Sequence, residues 1–169
     1  MAKQLEHSDL LLTTAEVSIA FAGFASLVTF LGSRGTGHEL PRDVARLRAM
    51  ILMSLIGLAF SLFPFLPHVL GASPQAVWRM SSVAFLIAGG AAAWFQFQYI
   101  RKVGVSRVGS VFINGPLGLL VLALLALNSV LDLGKLSAGI YVFGLFSLLF
   151  ISGFLFFLAF LSFLGGRDS

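Results

Sequence analysis

The sequence predicts an all-α protein, a polytopic bundle of five transmembrane helices, and three observations carry that prediction. Apolar residues make up 58% of the 169 positions and charged residues 11%, with a mean hydropathy of +0.98. An ordinary soluble domain holds about 45–50% apolar and about 25% charged residues, so this chain has too little charge to coat a surface that faces water. The second observation is its 18 Phe, more than the interior of a domain this small can hide. The third is that the apolar residues gather in five uninterrupted runs. Each is long enough to cross a hydrocarbon layer about 30 Å thick, which takes about 20 helical residues. Together these exclude a soluble enzyme, a disordered tail and a disulfide-stapled secreted module. An outer-membrane barrel is excluded too, because its strands alternate apolar and polar residues over about ten positions and these runs do not alternate.

The whole chain reads as one transmembrane domain with spans at 10–32, 44–70, 78–100, 111–132 and 137–164. The first run follows the polar lead MAKQLEHSD and holds one ionisable group, Glu16. It exceeds the apolar core of a signal peptide, about 7–15 residues, and no A-x-A-like cleavage site follows, so a retained first helix is expected. The second helix should begin near Pro41, because proline suits the first helical position, where its missing N–H costs nothing. Asp43 and Arg46, three apart, can support each other there. The far end of this span reads F-P-F-L-P-H, and Pro64 and Pro67 each remove a backbone donor, so a kink or break is expected.

The third and fourth spans carry no formal charge between residues 80–100 and 111–131. Asn114-Gly115-Pro116 reads as a turn or helix start at the head of the fourth. The fifth, 137–164, presents Phe on every side, which suits exposure to lipid, with Gly139, Gly144 and Gly153 as one contact stripe. Trp78, Trp94, Tyr99 and Tyr141 lie near span ends, where an interfacial aromatic belt is expected.

Small residues at every fourth position mark where helix backbones approach closely. Ser18, Ala22 and Ser26 do so on the first span and Ala84, Ala88 and Ala92 on the third, so these two helices are expected in the bundle interior or at a subunit interface.

Basic residues set the expected orientation. Lys3, Arg79 and Lys135 fall on one side, and the other eight of the eleven fall opposite. The positive-inside tendency then puts the N-terminus outside and the C-terminus in the cytoplasm, in a multi-pass protein of the cell membrane. The excess charge belongs to a membrane face, not to a nucleic-acid surface. Arg42, Arg46, Arg48, Arg101 and Lys102 hug helix ends, where anionic lipid headgroups attract each at about 1 kcal/mol.

Glu16 is the residue in which chemistry is expected. An intramembrane carboxylate is costly unless protonated, paired or hydrated, and is a functional candidate for that reason. Ala20 and Gly23 share its side of the helix, so it is expected on a close-packing face and not toward lipid. His68 and Asp132 should lie at the same level and Asn128 about one turn deeper, making these four the candidates for an ion or proton pathway. The alternative is structural: a carboxyl hydrogen-bonded to a neighbouring hydroxyl or amide, and a solvated His68.

No catalytic residue, cofactor or metal site is expected. The chain has no Cys, and it lacks a phosphate-binding glycine loop, an H-E-x-x-H pair, a dinucleotide fingerprint and a TVGYG filter. The reading is therefore of a small membrane protein in the lipid bilayer that self-associates. Symmetric copies would gather several Glu16 carboxylates into a cation or proton pathway. A non-conducting scaffold or accessory subunit, binding a partner through its helices or its basic face, is the alternative.

Overall fold

A computed structural model describes Leu5 and residues 7–34, 41–103, 110–131, 133, 134 and 136–165. Helices account for nearly all of these: α1 (Ser8–Arg34), α2 (Pro41–Leu62), α3 (Phe65–Val69), α4 (Pro74–Val103), α5 (Ser110–Val130) and α6 (Leu136–Gly165). Four stretches are long and apolar enough to cross a membrane: Ser8–Val28, Leu47–Val69, Pro74–Gln98 and Leu136–Leu158. The apolar stretch Gly115–Val130 of α5 is shorter. The protein is thus a membrane-embedded helical bundle of about five spans, with α2 and α3 forming one span between them.

Local chemistry explains where the helices begin and break. Pro41 and Pro74 open α2 and α4, each at the position that has no use for an N–H. Ser73 caps α4: its Oγ accepts from the Ala76 N–H at 3.3 Å, and its carbonyl accepts from Val77 at 3.0 Å. The first satisfies an N–H that the first turn of a helix otherwise leaves unpaired, and the second is the helix's first regular backbone bond. The second span breaks at Pro64, as the sequence predicts. Phe63 still donates to Ala59, but Pro64 has no proton to give Phe60, and Leu66 turns back to Phe63 at 3.0 Å. Gly71, at φ +82°, then reverses the chain into α4, a conformation costly for residues with a Cβ.

Pro116 behaves differently. Of the turn or helix start expected at Asn114-Gly115-Pro116, the structure has a helix start, four residues early: α5 begins at Ser110 and runs helically through Pro116. A membrane helix tolerates a proline because neighbouring groups re-satisfy the freed carbonyl.

The packing corrects part of two further expectations. Of the two helices expected inside or at a subunit interface, α4 is inside, packing on α2, α3, α5 and α6, whereas α1 packs chiefly on α2 and α6. The helix α6 shares the centre, packing on α1, α2, α4 and α5. The phenylalanines of α6 do not prevent this, because they sort by side. Phe143, Phe146, Phe150, Phe157 and Phe160 are exposed, while Tyr141, Gly144, Leu145, Ser147, Ile151, Ser152 and Leu155 turn inward. Nor do Trp78 and Tyr141 form an interfacial belt. They are 3% and 0% exposed, inside the larger of two apolar clusters. Trp94 is exposed; the side chain of Tyr99 lies outside the described residues.

That larger cluster ties the bundle together near the α2–α3 break. Phe60 and Phe85 stack with ring centroids 5.0 Å apart, Tyr141 meets the edge of Phe85 at 5.6 Å, and Trp78 lies 5.7 Å from Tyr141. Arrangements of this kind contribute beyond simple burial, which matters in lipid, where helices gain little from leaving one apolar medium for another. A smaller cluster of Ala25, Leu47, Ala49, Met50, Ile151 and Leu155 joins α1, α2 and α6 toward the other end. Between the two lie Ser18 and Gly57, a close contact of α1 with α2. A Cβ on Gly57 would stand 2.9 Å from the Ser18 Oγ.

Candidate functional site

Glu16 lies two turns into α1, within the membrane-capable stretch, and it does not face the interior. The buried side of α1 is Leu11, Thr14, Ala15, Ser18 and Ala25, and Glu16 falls on the opposite side. Thr13, Glu16, Ala20, Gly23 and Leu27 are all exposed. Their spacing of three and four residues makes them one continuous stripe along the helix. The expected small-residue neighbours of Glu16 are therefore real, but the face they share points away from the rest of the chain. The physical reason is that Leu11, Thr14 and Ser18 fill the seam against α2 and α6, leaving no interior room for the carboxylate. Of the two hydroxyls nearest in sequence, Thr14 is spent on its own helix, donating to the Leu10 carbonyl at 2.7 Å, and Ser18 is buried against Gly57 of α2. Among the described residues nothing pairs with or donates to the Glu16 carboxylate.

The other pathway candidates do not gather around it. Asn128 is 1% exposed and belongs to a different part of the bundle. Its Nδ2 donates to the Ser82 Oγ at 2.8 Å and to the Ser137 carbonyl at 3.1 Å, joining α5 to α4 and α6. His68 is half-buried in α3 and has a partner of its own. Asp132 lies outside the described residues. No three His, Asp or Glu side chains cluster as metal ligands among those described.

The helix-packing residues divide. Ser18 and Ala92 are buried, Ala22, Ala84 and Ala88 are half-buried, and Ser26 is exposed, donating to its own Ala22 carbonyl at 2.8 Å. Ala84 and Ala88 pack on the aromatic cluster. Of the basic residues, Arg48 and Arg101 are exposed, and the Arg101 guanidinium lies 5.8 Å from the Phe97 ring centre. The side chains of Arg42, Arg46 and Lys102 lie outside those described.

A residue not singled out among the candidates is Arg79. Its Nε donates to the Ser129 carbonyl at 2.7 Å and its Nη2 to that of Val130 at 3.4 Å, covering the C-terminal end of α5. The signal was present in the sequence: a single Arg between two charge-free apolar runs, where a helix C-terminus offers it unsatisfied carbonyls. No protein-family model, curated protein or solved structure matches the chain.

Proposed function

We propose that the protein self-associates in the cell membrane through the outward stripe of α1, and that Glu16 carboxylates brought together there serve a cation or proton pathway between subunits. One observation carries this reading: a carboxylate inside a membrane-capable stretch, without a partner among the described residues, on an exposed stripe shared with Thr13, Ala20, Gly23 and Leu27. A carboxylate in that position is expensive against lipid. Small neighbours let a second backbone come close enough to shield it. Glu16 is exposed and points away from the rest of the chain, so on this reading a polar path through Glu16 runs between copies.

Reconstitution in liposomes tests the reading. The wild-type protein should pass protons or monovalent cations above the leak of empty liposomes, and Glu16→Gln should lower the flux or change its ion selectivity while folding is intact. Equal flux in both would refute the pathway.

The alternative reading is an accessory subunit that conducts nothing and binds a partner through its helices or its basic face. That reading expects no flux, indifference to Glu16→Gln, and loss of a co-purifying partner when Ala22 or Ala88 is enlarged.

A further inference from the structure

A cavity of about 250 Å³ opens between the start of α4, the end of α5 and the start of α6. Ser73, Arg79, Asn128, Leu131 and Ser137 are among its walls. Its volume falls just below the range of about 300–1,000 Å³ typical of drug-sized ligands. It suits something the size of a headgroup.

Two groups define what it would hold. Arg79 brings a permanent cation to an exposed position, and its bonds to the Ser129 and Val130 carbonyls hold the guanidinium in place without cancelling its charge. The first turn of α4, capped by Ser73, adds the partial positive charge of a helix N-terminus on the same side. Asn128 supplies the opposite polarity. Because the Ser137 carbonyl can only accept, the amide end facing it must be the nitrogen, and the Oδ1 is left buried with no hydrogen-bond partner among the described residues. A buried acceptor without a donor is costly, and a ligand N–H that reached Asn128 would remove that cost.

The site thus combines a place for an anion with a place for an N–H donor. Beside it, Val130, Leu131 and Leu136 are 73%, 47% and 67% exposed. They stand where the membrane-capable stretches of α4 and α6 begin and the shorter apolar stretch of α5 ends, and the ends of spanning helices meet the boundary between acyl chains and headgroups. An apolar rim there would be covered by lipid tails.

We propose that this cavity binds a phospholipid with a primary-amine headgroup, phosphoethanolamine. Its phosphate lies against Arg79, its ammonium donates to the Asn128 Oδ1 and its chains run over the rim. The site is independent of the Glu16 pathway.

Native mass spectrometry of the full chain with lipids of identical acyl chains tests this. Phosphatidylethanolamine should bind at least about tenfold tighter than phosphatidylcholine, whose trimethylated nitrogen has no proton to donate, since a charge-assisted hydrogen bond is worth about that factor or more. Asn128→Leu should remove this preference. Arg79→Gln should weaken both lipids by a similar factor and leave their ratio standing. Free O-phosphoethanolamine at millimolar concentration should not displace the lipid. Equal binding of the two lipids by the wild-type protein would overturn the proposal, as would a preference that survives Asn128→Leu. Displacement by free O-phosphoethanolamine would overturn the lipid as occupant. The wild-type comparison decides even if a variant fails to fold.

Discussion

The Tyr141 hydroxyl donates to the Phe60 carbonyl across 2.6 Å, from α6 to α2. In an uninterrupted helix that carbonyl would accept from the residue four positions on, but that residue is Pro64, which has no N–H. The orphan that the proline creates is buried among aromatic rings, and a side chain from the central helix supplies the missing donor. The break in the second span and the burial of Tyr141 are therefore one feature seen from two helices.

This relationship predicts a specific non-additivity. Tyr141→Phe keeps the ring stacking but leaves the Phe60 carbonyl unsatisfied, at a cost of about 1–3 kcal/mol. In a Pro64→Ala background the alanine N–H can take over the carbonyl, so the same tyrosine substitution should cost little. A double-mutant cycle read by reversible unfolding in detergent micelles checks this. Equal cost of Tyr141→Phe in both backgrounds would show that the hydroxyl and the proline are unrelated.

The α1–α2 contact predicts a second coupling. Gly57→Ala places a methyl 2.9 Å from the Ser18 Oγ, so the Ser18 hydroxyl must rotate or the two helices must move apart, at a cost of up to about 1–3 kcal/mol for overpacking. Ser18→Ala removes the obstructing oxygen and should restore much of the loss. Thermal melting of the two single variants and the double variant measures the effect. If Gly57→Ala alone melts like the wild type, the contact is looser than described.

Gly71 predicts a purely backbone effect. A Cβ there would touch nothing, yet φ is +82°, a conformation that costs an L-residue about 1–2 kcal/mol. Gly71→Ala should destabilise the bundle by about that amount with no change in packing, whereas Gly90→Ala, in open space at ordinary helical φ, should be neutral or slightly stabilising. Unfolding midpoints of the two variants make the comparison.

Much of the fold is written in features that depend on composition and covalent chemistry. The spans follow from run length. The break at Pro64 and the starts at Pro41 and Pro74 follow from a missing N–H. What the sequence does not carry is the rotation of each helix about its own axis. These helices are apolar on nearly all sides, so no polar face marks the outside, and the direction in which a side chain points is settled by packing against helices distant in sequence. That is why the sequence alone puts Glu16 on an inner face, although Leu11, Thr14 and Ser18 occupy it. The same ambiguity hid the inward stripe of α6 beneath its phenylalanines. Trp78 and Tyr141 stand one turn inside their helices, near enough to the ends to suggest a belt, and only the approach of α2 and α3 encloses them. Arg79 and Asn128 were visible as isolated polar residues. Their shared cavity arises from the meeting of three helices that no spacing rule connects.

The central claim is that the outward stripe of α1 meets a second copy of the chain, and cysteine cross-linking in native membranes tests it most directly. The chain contains no Cys, so single cysteines can be placed without a background. Ala20→Cys and Gly23→Cys, on the stripe with Glu16, should form disulfide-linked dimers under mild oxidation. Ile87→Cys and Leu119→Cys, on exposed faces of α4 and α5, should not. Absence of dimers at Ala20 and Gly23, or equal dimer formation at all four positions, would contradict the account.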